Sequence, residues 1–190
     1  MDWVNTSPLV KTYTLEEFWE LPEPPDRSKL ELIAGVLYMT PPPGYLHSNA
    51  VSRLNRLLAD YLTKTGDKGI LYVPRAGIMR KPNSWLEPDL FYVSAETLSR
   101  ATDKYLTTAD LVIEVISPGS AIYDRNTKAD TYAALGVKEL WLVDEAFQQI
   151  EVRVLKDNSY KRGVALEKEE LLRSVVLPGF EIKVGSVFGD

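Results

Sequence analysis

Leu111-Val112-Ile113-Glu114-Val115-Ile116, followed by Ser117-Pro118-Gly119, decides how this chain is read. A six-residue apolar run rich in β-branched side chains and closed by turn formers is a short buried strand. Alternation along it puts Leu111 and Ile113 on one face and Val112, Glu114 and Ile116 on the other. Glu114 therefore interrupts an apolar face. A carboxylate there costs several kcal/mol unless it is paired or bound to a cation.

Working outward, Asp124–Leu135 has helical spacing with Gly136 as its stop, and Leu140–Val143 is a second buried-type strand. Upstream, Asp89–Val93 is a short apolar strand between Pro88 and Ser94, opened by another acid. Ile70–Val73 and Ile78–Arg80 read as strand around a kink at Pro74 and Gly77. Ala50, Val51, Leu54, Leu57, Leu58, Tyr61 and Leu62 mark one face of a helix that Gly66 ends. From 46 to 144 the order is helix, strand, strand, strand, helix, strand. That order predicts an α/β chain whose mixed β-sheet is flanked by helices.

Hairpins decorate both ends. Leu30–Ile33 and Val36–Met39 flank a tight Ala34-Gly35 turn, and a second hairpin is expected around Asp157-Asn158. Thr14-Leu15-Glu16-Glu17 has capping-box spacing and starts a short helix that stops before Pro22. Leu177-Pro178-Gly179 turns the chain into a terminal apolar segment. One domain over residues 1–190 is expected, with its core at about 46–144.

Composition narrows the chemistry. The 190 residues are 45% hydrophobic and 26% charged, as in a globular protein, with no apolar run long enough for a membrane span. Without cysteine there is no disulfide or thiol catalysis, and with His47 as the single histidine no Cys/His zinc site can form. The start Met1-Asp2-Trp3 has no secretory pattern, so a cytoplasmic location is expected. No Gly-x-Ser-x-Gly elbow, phosphate loop or dinucleotide fingerprint is present. Any catalysis must come from carboxylates, lysine, tyrosine and hard cations. The net charge of −5 hides a basic strip: residues 53–81 carry +5 and the rest −10. Such a strip suits phosphate steering, and equally a solvated helix face.

Taken alone, each candidate has a plain reading. Pro88-Asp89 is turn chemistry, and Glu114 could be a structural ion pair. Asp124 and Lys128 could be an exposed helix pair worth about 0.2–0.5 kcal/mol. Taken together, Asp89 and Glu114 on adjacent strands offer the one or two hard carboxylates that magnesium favours. Asp124, Lys128 and Tyr132 fall at i, i+4 and i+8, so they are expected on one helix face.

At this point the sequence resembles a family. Glu31-Leu32-Ile33-Ala34-Gly35, His47, Pro88-Asp89-Leu90, Asp110 through Pro118, Asp124 with Lys128 and Tyr132, and Gly136 through Asp144 look like the Uma-type restriction endonucleases of the PD-(D/E)XK superfamily. The resemblance runs from about Tyr13 to Phe188. It implies a restriction endonuclease-like core and metal-dependent hydrolysis of DNA phosphodiester bonds. Asp89 and Glu114 then match the metal-binding acids, with the Val115 backbone carbonyl completing the metal shell around Mg2+, for which Mn2+ can substitute. Ile116 occupies the usual lysine position, and Lys128 on the following helix takes that role. Glu31, His47, Asp124 and Tyr132 are supporting positions. Ala34 stands where the family commonly has Asp. DNA is the implied partner and a homodimer the implied assembly. The alternatives from other classes are an accessory domain that binds nucleic acid or protein without turnover, and a purely structural Glu114–Lys128 ion bridge.

Overall fold

The computed structural model describes residues 11–116 and 124–189, with side chains for all of these except residues 124 and 125. The turn expected at Ser117-Pro118-Gly119 lies outside the described residues.

Thr14 caps the first helix, α1 (Leu15–Trp19). Its side chain accepts from the Glu17 N–H while Glu17 accepts from the Thr14 N–H, the reciprocal pair that the sequence spacing predicts. Strands β1 (Lys29–Ile33) and β2 (Val36–Thr40) form the expected hairpin. Ala34 and Gly35 both have positive φ, 49° and 82°, the geometry of a two-residue hairpin turn. The hairpin forms with Ala34 in place of Asp because the turn is tied on both sides. The Ala34 N–H donates to Ser84 Oγ and the Gly35 N–H to the Asn83 carbonyl.

Helix α2 (Tyr45–Thr65) buries Ala50, Leu54 and Leu58 and ends at Gly66 in the left-handed conformation. Each fully buried leucine is worth about 1.5–3 kcal/mol relative to exposure. There follow β3 (Ile70–Tyr72), β4 (Ile78–Arg80), β5 (Ser84–Leu86), β6 (Leu90–Val93), α3 (Ala95–Ser99) and β7 (Leu111–Ile116). A π-helical turn, Asp124–Lys128, leads into α4 (Ala129–Ala134). The chain closes with β8 (Glu139–Asp144), β9 (Gln149–Lys156), β10 (Ser159–Tyr160), β11 (Val164–Leu166), β12 (Leu171–Arg173), β13 (Glu181–Lys183) and α5 (Gly185–Phe188).

The main sheet runs β10-β9-β8-β7-β6-β3, with β11 also on β9. β7 and β8 are parallel and their neighbours antiparallel, so the sheet is mixed. The strand expected to bend at Pro74 and Gly77 is in fact two strands in two sheets. β3 pairs with β6, whereas β4 joins a separate sheet in the order β2-β1-β5-β4. The N-terminal hairpin is thus half of a second sheet.

Three cores result. On one face of the main sheet, Leu111, Ile113, Trp141 and Val143 pack against α2, α5 and the β12–β13 hairpin. On the other, Val112, Ile116, Leu140 and Leu142 meet Tyr132 of α4 and Ile33, Ile78 and Leu86 of the second sheet. The far side of that second sheet packs Leu32, Met79 and Trp85 on Leu15 and Phe18 of α1. No helix among the described residues is long and apolar enough to cross a membrane.

Candidate active site

Period-two alternation holds along β7, and it places Glu114 on the face shared by Val112 and Ile116, beneath α4. Leu90 pairs with Ile113, so Asp89, one residue before β6, comes beside Glu114 and Val115. The Val115 N–H donates to Asp89 Oδ2 at 2.8 Å. From α2, His47 Nε2 donates to the same oxygen at 3.1 Å. Both bonds fall on Oδ2, which leaves Oδ1 as the oxygen available to a ligand.

Lys128 arrives at the end of the π-helical turn and is 3% exposed. Its Nζ lies 3.1 Å from Glu114 Oε1 and 2.9 Å from Glu31 Oε2. The Tyr132 hydroxyl, one turn further on, donates to Glu114 Oε1 at 2.5 Å. Lys128 and Tyr132 therefore share a face as their spacing predicts, while the Asp124 side chain lies outside the described residues. Glu31 reaches Lys128 because it shares a strand face with Ile33, the side of β1 turned toward the main sheet. Its Oε1 accepts from the Glu87 N–H at 2.8 Å. The second sheet thus delivers a buried carboxylate behind the lysine.

Apart from Glu31 and Tyr132, which stand behind it, these groups border one cleft of about 950 Å³. Asp89, Glu114, Val115 and Lys128 are its buried end, His47 stands on the α2 side, and Met39 and Val73 are at its exposed margin. Sequence reasoning missed Lys29, Glu87 and Glu145, which also line it, and gave Arg75 only as part of the basic strip. Glu145 follows the last residue of β8, the strand parallel to β7. That adjacency was the one signal in the sequence that could have found it. Arg75 Nη1 lies 3.5 Å from Glu87 Oε2, and Lys29 Nζ donates to the Glu87 carbonyl at 2.8 Å. The basic strip does not form one surface. Arg53 donates to the Val187 carbonyl, Lys81 pairs with Asp103, and of the strip only Arg75 borders the cleft.

The electrostatics follow from burial and partners. Burial pushes the Asp89 carboxyl up, but the His47 hydrogen bond, the Lys29 charge and the Val115 N–H pull it further down, below the usual range. Burial pulls His47 down, while Asp89 and then Glu145 raise it above its ordinary value. Glu87 and Glu145 are both raised, chiefly by burial.

Whether these donors suit a cation depends on their chemistry. Among the described residues no group of three or more His, Asp or Glu side chains is placed to hold a metal ion. Two carboxylates and a backbone oxygen at the end of an open cleft suit a hard ion such as magnesium, which keeps several of its waters.

A mixed sheet with a parallel β7–β8 pair, α2 on one face and α4 on the other is the restriction endonuclease-like architecture, a nuclease fold. A family model described as "Uma2: Putative restriction endonuclease" matches residues 15–185, and the chain belongs to that family. Among solved structures, the chain is similar to a protein from Anabaena variabilis described as a putative nuclease belonging to DUF820. The two share 20% identity over 93% of this chain and 97% of that one, with a TM-score of 0.76, which shows a common fold. A search of curated proteins gave no match.

Proposed function

We propose that this chain is a divalent-metal-dependent endonuclease that hydrolyses DNA phosphodiester bonds. The observation that carries the reading is the convergence of Asp89, Glu114 and Lys128, from two adjacent strands and the next helical segment, on one cleft.

In this reading Asp89, Glu114 and the Val115 carbonyl hold the cation, with Mg2+ native and Mn2+ able to substitute. When bound, such an ion lowers the pKa of a coordinated water and offsets phosphate charge. The protein's own groups do the rest. His47 and the Val115 N–H fix Asp89 through Oδ2 and orient the remaining oxygen. Tyr132 fixes the Glu114 carboxylate. Lys128, a compact cation, orients the attacking water or balances charge growing on the phosphate oxygens. Glu31 is a positioning residue: from behind, it holds the ammonium in place. One copy of the site suffices to cut one strand, and a duplex break would take two copies related by a twofold axis, hence a homodimer.

The test is incubation of plasmid DNA with the purified protein in magnesium or manganese, beside Asp89→Ala. Metal-dependent cutting by the wild type and none by the variant is expected. Equal cutting by both would remove Asp89 from the mechanism.

The 3.1 Å Lys128–Glu114 contact favours a second reading, in which the ion pair is purely structural. In that case magnesium leaves the melting temperature unchanged, whereas a true site is stabilised by mass action.

A further inference from the structure

We propose that the cleft takes an unpaired DNA strand, with its base against an apolar wall and its phosphates along the cations of the same cleft. The proposal rests on the nuclease reading and names the form of its substrate.

The wall is the observation that the hydrolytic chemistry leaves unused. Met39 and Pro41 to Pro43 supply one stretch of the lining, and Val73 with Pro74 another. Met39 is 66% and Val73 50% exposed, so among the described residues little covers these side chains. Duplex DNA offers such a surface only thymine methyls and sugar edges, because its base faces are hidden in the stack and its outside is phosphate. An unstacked base presents a flat apolar face that aliphatic side chains can cover, as aromatic ones do where proteins hold single strands by stacking. The prolines make the wall stiff, so little conformational freedom is lost when a base settles on it.

The charges agree. Among the described residues the cations lining the cleft are Arg27, Lys29, Arg75 and the buried Lys128. Those α2 residues that line it, His47, Ser48, Val51, Ser52 and Asn55, include no lysine or arginine, although the helix carries Arg53, Arg56 and Lys64 elsewhere. Three cations outside the buried end can follow a short stretch of one backbone. The chain as a whole is at −5, which favours one short stretch of backbone over the two phosphate rails of a duplex.

The test uses the full chain and a fluorescein-labelled 12-nucleotide strand, its blunt duplex, and fluorescence anisotropy with calcium in place of magnesium to suppress cutting. The strand should bind on the order of tenfold more tightly than the duplex. The plot of log affinity against log salt should have a slope of about −2, as for roughly three phosphates. Met39→Asp should weaken strand binding about tenfold, and Met39→Leu should restore it. Val164→Asp makes the same charge change at a 68% exposed position on β11, away from the cleft, and should leave binding unchanged. Duplex binding equal to or tighter than strand binding, no binding of either, or an unaffected Met39→Asp protein would overturn the proposal. Asp89-dependent cutting of the same strand and of plasmid DNA in magnesium reports separately on the nuclease reading. A preference for duplex with that cutting intact defeats only the strand proposal, whereas strand binding without any cutting defeats only the nuclease.

Discussion

The two ends of the β7–β8 pair carry the same kind of residue under opposite conditions. Glu139 opens β8 and is 0% exposed, and Glu114, near the end of β7, is 2% exposed. Glu139 is saturated by fixed neutral donors: Trp141 Nε1–H on one oxygen, and the Ser174 hydroxyl with the Val175 and Val176 N–H groups on the other. Nearby Asp110 accepts from the Ser94 N–H and pairs with Lys138. Glu114 instead meets an ammonium and a phenol, and it borders a cleft shared with another acid. Burial of a carboxylate therefore does not identify a reactive site. What separates the two ends is whether the acid is held by fixed neutral donors or by a cation, and whether the site opens to a ligand. In α/β sheets the open end is characteristically the carboxyl end of the parallel strands, and so it is here.

That contrast can be broken by mutation. At the cleft end, Lys128→Ala leaves Glu31 and Glu114 without their buried cation and should cost stability. Its main effect should be a fall of about 10²–10⁴ in cleavage rate per folded molecule, as read from initial rates corrected for the folded fraction by circular dichroism. At the closed end, Glu139→Ala should leave the Trp141 Nε1–H, the Ser174 hydroxyl and the Val175 N–H without their acceptor and cost about 3 kcal/mol in urea denaturation, with cleavage per folded molecule unchanged. A Glu139→Ala protein that is stable but inactive would erase the distinction between the ends.

Two smaller effects sharpen it. Magnesium at a hundred times its dissociation constant should stabilise the wild type by about 2.7 kcal/mol in thermal melts and leave Glu114→Ala unmoved. Asp110 supplies a pH test at the closed end. Burial raises its carboxyl, but Lys138 and the Ser94 and Thr97 groups lower it more, so its folded value lies below 3.8. Its contribution is fully present above the unfolded value and is lost as pH falls through the folded one. The stability gap between wild type and Asp110→Asn should accordingly close below about pH 3.8 and stay constant from pH 5 to 7. A gap that widens in acid would contradict the assigned direction.

Much of this was legible in the residues. The capping box at Thr14, the helix ending at Gly66, the Ala34-Gly35 turn and the β7 and β8 runs are all local signals, and each marks the element that forms. Less legible were the three-residue strands. β5 is too short to show a period, and its partner Trp85↔Leu32 lies more than fifty positions away. Splitting the 70–80 segment between two sheets likewise depends on long-range pairing. The basic strip illustrates the same limit: its charges are adjacent in sequence, yet they take separate partners across the molecule.

The sequence by itself determined that a carboxylate would sit inside an apolar strand, that another would open the strand nearby, and that a lysine would follow on the next helical segment. Those are consequences of periodicity and composition, which act over a few residues. Only the tertiary structure decided that Glu31 would stand behind Lys128, that Arg75, Glu87 and Glu145 would border the same cleft, and that Glu139 would be closed off. Each of these depends on contacts between segments far apart in the chain, where packing of one sheet on another sets which side chains meet.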